Sequence, residues 1–152
     1  MKSITGEWVE KAEGDFRSAQ RELRVRNRPN HDLICFLSQQ CAEKYLKARL
    51  VEASVLFPKT HNLTVLLRLV LTIEPTVEDL QVKLTPLNHY AVEFRYPGDV
   101  STKEEARTAF ANCRDVRKEM RKRLGLEGPP STQMSLRIKE KRGRYKAQRK
   151  RR

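Results

Sequence analysis

The side chains of this 152-residue chain that can move a proton at neutral pH are three histidines, His31, His61 and His89, set far apart. Their isolation offers no zinc-binding spacing, and neither a metal nor another cofactor is expected. Gly98 stands alone between Gly14 and Gly125, so no Gly-rich loop exists to cradle phosphates. Cys35, Cys41 and Cys113 form no CxxC pair and no even framework, and read as buried thiols of a reducing compartment. Anion binding is the better prospect. Lys44 and Lys47 lie on the polar seam of an otherwise apolar stretch, where they can meet a nucleotide or an RNA phosphate. The plainer reading is a solvated edge with Glu43 and Lys47 paired at i,i+4. His61, within Lys59-Thr60-His61-Asn62-Leu63, can bond backbone groups at a helix start or join the same ligand contact.

These residues need elements to hold them. Between Asp32 and Val51 a helical period places Leu33, Ile34, Leu37, Cys41, Tyr45, Ala48 and Val51 on one broad face, widened by Ala42 and Leu46. The polar remainder, Gln40, Glu43 and Lys47 with Lys44 at its margin, is narrow. This predicts a central helix with one edge reaching water or a ligand. Before it, Trp8, Ala12, Phe16, Ala19 and Leu23 recur at helical steps from Ile4 to about Val25, with Asp15 as a boundary residue beside the stripe. Pro29 breaks the chain, and Asn30 or Asp32 is placed to cap the central helix.

A third helix is read over Leu63, Leu66, Leu67, Val70 and Leu71, capped by Thr60 or Asn62 and closed by Pro75. A fourth is expected from about Val77 to Phe94, with Pro86 kinking it or delaying its start. After a turn at Arg95-Tyr96-Pro97-Gly98-Asp99, Ser101 and Glu104 have capping-box spacing ahead of a fifth helix that ends near Leu124, with Gly125 as its stop. No segment alternates like a paired strand. The fold class is therefore all-α, an antiparallel up-down bundle of about five helices over residues 1–125. The short loops between long helices are what make neighbours antiparallel.

Residues 126–152 carry ten Lys+Arg against two Asp+Glu, most of the chain's formal +13. Too little apolar area is present there to offset ordering entropy, so a basic, disordered tail is expected. Such a tail attracts phosphates by counterion release, and a general RNA- or DNA-binding role acting through it is one functional alternative. No run of about 18 apolar residues appears and the first twenty residues carry acids throughout, which predicts a cytoplasmic protein without a membrane partner.

Taken in order, Gln39-Gln40-Cys41-Ala42-Glu43-Lys44-Tyr45-Leu46-Lys47-Ala48, Pro58-Lys59-Thr60-His61-Asn62-Leu63 and Arg95-Tyr96-Pro97 resemble the HEPN family of small prokaryotic helical domains, over about residues 8–124. The resemblance implies frequent homodimers and frequent pairing with a small nucleotidyltransferase in two-gene, toxin–antitoxin-like systems. Many relatives are metal-independent ribonucleases and others are non-catalytic binding modules. The nuclease branch needs an Arg followed, after four to six residues, by a His late in the bundle. The guanidinium grips the scissile phosphate and the imidazole shuttles protons. Arg95 stands where the family arginine stands, but Val100, Ser101 and Thr102 occupy the positions for the histidine. The expectation is a non-catalytic partner or nucleotide-binding module, with Arg95, Lys44, Lys47 and His61 as its anion contacts. A ribonuclease toxin is the alternative. Arg26 and His31 match the spacing in the wrong place, after the first helix, and are the remaining catalytic pair.

Overall fold

The computed structural model describes residues 1–92 and 96–128, and the chain is built around its second helix. α1 (Ser3–Leu23) and α2 (His31–Glu52) are joined by a short turn and lie side by side. α3 (Leu63–Leu71), α4 (Gln81–Leu87) and α5 (Lys103–Arg123) also pack on α2. Ile34, Cys41, Ala42, Tyr45, Leu46, Ala48 and Leu50 are fully buried along it. Each large apolar side chain so buried contributes about 1.5–3 kcal/mol. The described residues contain helices and no strand, so the all-α bundle of five α-helices stands.

Of the polar seam of α2, Gln40 and Lys44 stay half-buried and reach water, whereas Glu43 and Lys47 are covered together with the adjacent Gln39. Gln39 has no exposed surface, Glu43 is 3% exposed and Lys47 7%. The half-buried rings of Trp8 from α1 and Phe57 from the α2–α3 connection close over Lys47, which lies 5.6 and 5.8 Å from their centroids. Periodicity ranks residues by polarity, and it has no access to aromatic cover brought in from elsewhere in the chain.

Asn30 caps α2, its side chain accepting from Leu33 N at 3.0 Å, and Asn62 caps α3, accepting from Thr64 N at 2.9 Å. The fourth expected helix is broken up. Pro75 does more than close α3, since it opens a 3-10 segment, Pro75–Leu80. Pro86 lies inside α4, and without an N–H it cannot continue the ladder; the helix ends one residue later and passes into the 3-10 turn Asn88–Tyr90. Asn88 then ties this end to α3, accepting from Leu63 N at 2.8 Å and donating to Thr64 Oγ1 at 3.1 Å.

The capping box falls one residue later than expected. Thr102 accepts from Glu105 N at 3.1 Å and Glu105 accepts from Thr102 N at 2.7 Å. Ser101 is buried, and its N–H is drawn to Asp32 Oδ1 at 2.8 Å, which leaves the neighbouring Thr102 to cap. At the other end Gly125 takes φ +69, and Leu126 N donates to Arg121 O at 2.8 Å, satisfying the last turn. Residues 129–152 of the expected tail lie outside the described residues, as does Arg95.

Candidate functional site

Two polar regions flank α2, and they differ in how their charges are answered. The first is the seam. Gln39, Glu43 and Lys47 succeed one another at four-residue steps on one helical face, so one carboxylate can serve several donors. Lys47 Nζ donates to Glu43 Oε1 at 2.7 Å, and Gln39 Nε2 donates to Glu43 Oε2 at 3.2 Å and to His61 O at 3.1 Å. Gln40 Nε2 donates to Gln39 Oε1 at 2.7 Å. His61 Nδ1 lies 3.0 and 3.1 Å from the two Glu43 oxygens. An ionised carboxylate only accepts, so Nδ1 carries the proton and Nε2 is left as the free acceptor. With the His61 side chain 67% exposed, Nε2 can receive a proton or contact a ligand. The ring bonds a side chain here, whereas backbone groups are the partners expected from sequence.

Lys44 turns to the other side, where its ammonium pairs with Asp15. Next to it Tyr45 donates its hydroxyl to Glu13, and Arg117 grips the same carboxylate with Nε at 2.7 Å and Nη2 at 2.9 Å. Arg121 Nη1 lies 3.5 Å from Glu13 Oε1. Burial alone would raise the Glu13 carboxyl, but the hydrogen bonds from Arg117 and Tyr45 and the nearby guanidinium charges outweigh it and hold the group below the usual carboxylate range. Burial, followed by the hydrogen bond to Glu13, pushes the Tyr45 phenol up. Arg117 also lies 4.3 Å above the Phe16 ring.

Thus Lys47 and His61 meet through Glu43, Lys44 goes to a separate carboxylate, and Arg95 is outside the described residues. Sequence reasoning passes over Glu13 entirely. The usable signal is Tyr45: a tyrosine at the centre of an apolar face needs a partner for its hydroxyl.

The second region is a cleft of about 440 Å³ where the end of α1, the turn after it and the starts of α2 and α5 come together. Leu23, Val25, Pro29 and the fully buried Ile34 supply apolar lining. Arg24, Arg26, Lys103 and Arg107 surround it, with His31 on its wall. Among the described residues, no carboxylate lies within ion-pair distance of these four cations. The neighbouring acids are engaged otherwise, Glu22 accepting from Asn30 N at 2.7 Å and Asp32 from Ser101 N. Arg28 in the turn takes the left-handed φ of 52, uncommon for a side-chain-bearing residue. Arg26 and His31, named from sequence as a pair, do share this cleft; Arg24 beside them is not singled out from sequence, and Lys103 and Arg107 are not anticipated because about 80 residues separate them from the turn.

Cys35, Cys41 and Cys113 are buried and form no disulfide, and burial together with the neighbouring Cys113 pushes the Cys41 thiol up. Among the described residues no three His, Cys, Asp or Glu side chains are grouped to hold a metal ion, and no helix is long and apolar enough to cross a membrane.

An all-α bundle with a polar hub on its central helix and a basic cleft at one end defines a small helical domain. The model of the HEPN domain family matches residues 5–123, and the chain belongs to that family. Among solved structures, the crystal structure of an archaeal HEPN homologue superposes with a TM-score of 0.63 at 24% identity, covering 81% of this chain and 98% of that one. At that identity the likeness speaks for the fold. No curated protein matches the chain.

Proposed function

We propose that this HEPN-family protein is a non-catalytic binding module that works as a homodimer and associates with a nucleotidyltransferase in a two-gene system of toxin–antitoxin kind. The observation that carries the reading is what occupies the place of the family's late histidine. Val100 is exposed, Ser101 is buried against Asp32, and Thr102 is committed to capping α5. No histidine comes after His89. HEPN domains are commonly dimeric, and the exposed apolar residues Val92, Tyr96 and Val100 in the α4–α5 connection offer contact area to a second copy. Contact of a nucleotide or RNA phosphate with Arg95, Lys44, Lys47 and His61 belongs to the same proposal. Lys44 and Lys47 already hold carboxylates that such a ligand would have to displace, and His61 could reach a phosphate oxygen only when its Nε2 also carries a proton.

Purified protein incubated with total RNA and a chelator should leave the RNA intact, and the product of the adjacent reading frame should copurify with it. Metal-independent cleavage would overturn the non-catalytic reading. Arg95→Ala should weaken nucleotide or RNA binding in a salt-dependent way, and unchanged affinity would remove the seam contact. A second reading, cleavage through Arg26 and His31, gains from their sharing one cleft. It requires Arg26→Ala and His31→Ala each to abolish cleavage while helical content stays unchanged.

A further inference from the structure

The seam is closed as a charge cluster and open at one lone pair. His61 is fixed twice by α2, since Gln39 Nε2 donates to its carbonyl at 3.1 Å and Glu43 accepts from its Nδ1–H at 3.0 Å. Glu43 is almost fully buried and is itself held by Lys47 at 2.7 Å and Gln39 at 3.2 Å, so turning away from the ring would strand a buried ammonium. The His61 side chain is nonetheless 67% exposed. One edge of the imidazole is thus anchored and the Nε2 edge faces solvent. A carboxylate on one ring nitrogen sets the tautomer and raises the basicity of the other. Both ring contacts run through Nδ1, and no hydroxyl or thiol among the described residues is bonded to Nε2. The ring is therefore not placed to activate a neighbouring side chain, and is itself the group that can attack.

We propose that His61 is a phosphoryl acceptor, modified at Nε2 by an acyl phosphate. In that step the Nε2 lone pair forms the N–P bond while the P–O bond to the acyl group breaks, and the acyl oxygen departs as a carboxylate. No proton has to move. Nδ1 keeps its hydrogen, the ring becomes a phosphoimidazolium, and its new positive charge lies against the Glu43 carboxylate. The donor class follows from the same geometry: the one N–H of the ring is committed to Glu43, so His61 brings no acid to the leaving group, and a carboxylate leaves unprotonated where an alkoxide does not. The transferred dianion comes to rest one residue ahead of Asn62, the N-cap of α3, where the helix dipole favours negative charge, and the exposed Lys59 is two residues away in the chain. The amides of that first turn are taken by Asn62 and Asn88, so the helix supplies a field and not bonds. Contact with a bound phosphate needs a proton on Nε2, whereas this transfer needs the bare lone pair, and acidification separates the two uses.

The test uses full-length protein incubated with acetyl phosphate that carries a radiolabelled phosphoryl group. Acid lability, alkali stability and the phosphorus NMR signal identify a phosphorus–nitrogen bond, and peptide mass spectrometry locates it. Label should accumulate on His61 at least about tenfold faster than on His31 or His89, the scale set by a carboxylate partner on a histidine, and the preference should vanish in urea-unfolded protein. His61→Gln should lose the acid-labile label with an unchanged circular-dichroism spectrum. Glu43→Gln keeps an acceptor for Nδ1–H but not the negative charge, and in the folded variant should slow labelling of His61 about tenfold. A carboxylate that merely anchored the ring would leave that rate unchanged. Labelling of His61 should also slow on acidification. The proposal is overturned by equal labelling of the three histidines, by a preference that survives unfolding, by undiminished label in His61→Gln, by an unaltered rate in folded Glu43→Gln, or by faster labelling on acidification. RNA cleavage and dimerisation are untouched by any of these outcomes, so the function proposed above stands or falls separately.

Discussion

The seam and the cleft contain similar residues, yet one is closed electrostatically and the other is open. At the seam Glu43 receives Lys47, His61 and Gln39, and on the neighbouring face Glu13 receives Tyr45, Arg117 and Arg121 while Asp15 takes Lys44. Each of these cations has its counter-charge within the fold. At the cleft Arg24, Arg26, Lys103 and Arg107 have no carboxylate within ion-pair distance among the described residues, and the neighbouring Glu22 and Asp32 each accept from a backbone amide. A buried, answered charge holds helices in register; an exposed, unanswered one is available to a ligand. Proximity to conspicuous motifs therefore points to the seam, and charge balance points to the cleft.

Substitutions at the seam should act on stability and those at the cleft on binding. The largest effect is expected from Glu43→Ala, which strands the buried Lys47 ammonium and should cost about 3–5 kcal/mol in urea unfolding. A loss below about 1 kcal/mol would show that the seam is not a closed network. Glu13→Ala, which removes the shared acceptor of Tyr45 and two arginines, should cost about 1.5–3 kcal/mol by the same measurement.

The pH dependence sharpens the contrast. The folded-state Glu13 carboxyl is held below its ordinary 4.5, so its contribution is fully present above that value and is lost as pH falls through the lower folded value. Wild-type protein should consequently lose more stability on acidification below about pH 4.5 than Glu13→Gln does, and equal losses would remove this assignment. Smallest of all, Arg26→Ala and Arg107→Ala should change stability by no more than about 0.5 kcal/mol in either direction, because both side chains are exposed and unpaired.

The fold was legible because apolar spacing and capping residues act locally. The stripe of α2, the asparagine caps at Asn30 and Asn62 and the stop at Gly125 all depend on neighbours within a turn or two. What failed at short range was a competition between adjacent candidates: Ser101 has the capping-box spacing with Glu104, but its amide is claimed by Asp32, 69 residues away. Pro86 is recognisably disruptive in the sequence, and the bonds by which Asn88 ties that helix end to α3 come from 24 and 25 residues away.

The site was less legible for the same reason at longer range. Lys44 and Lys47 are three residues apart on one helix, which suggests joint action, but their partners come from α1 and from α2 itself and separate them. Arg26 and Arg107 have no sequence relationship, and it takes the approach of α5 to the α1–α2 turn to bring them to one cleft. Motif order was sufficient to name the family. Distinguishing a saturated charge cluster from a receptive one required the tertiary contacts.

The most direct measurement is urea unfolding of the full-length protein, comparing Glu43→Ala with Arg107→Ala at matched ionic strength. The account predicts that Glu43→Ala loses at least about 3 kcal/mol of stability while Arg107→Ala stays within about 0.5 kcal/mol of wild type. The opposite ordering, with Arg107→Ala destabilised and Glu43→Ala unaffected, would contradict it.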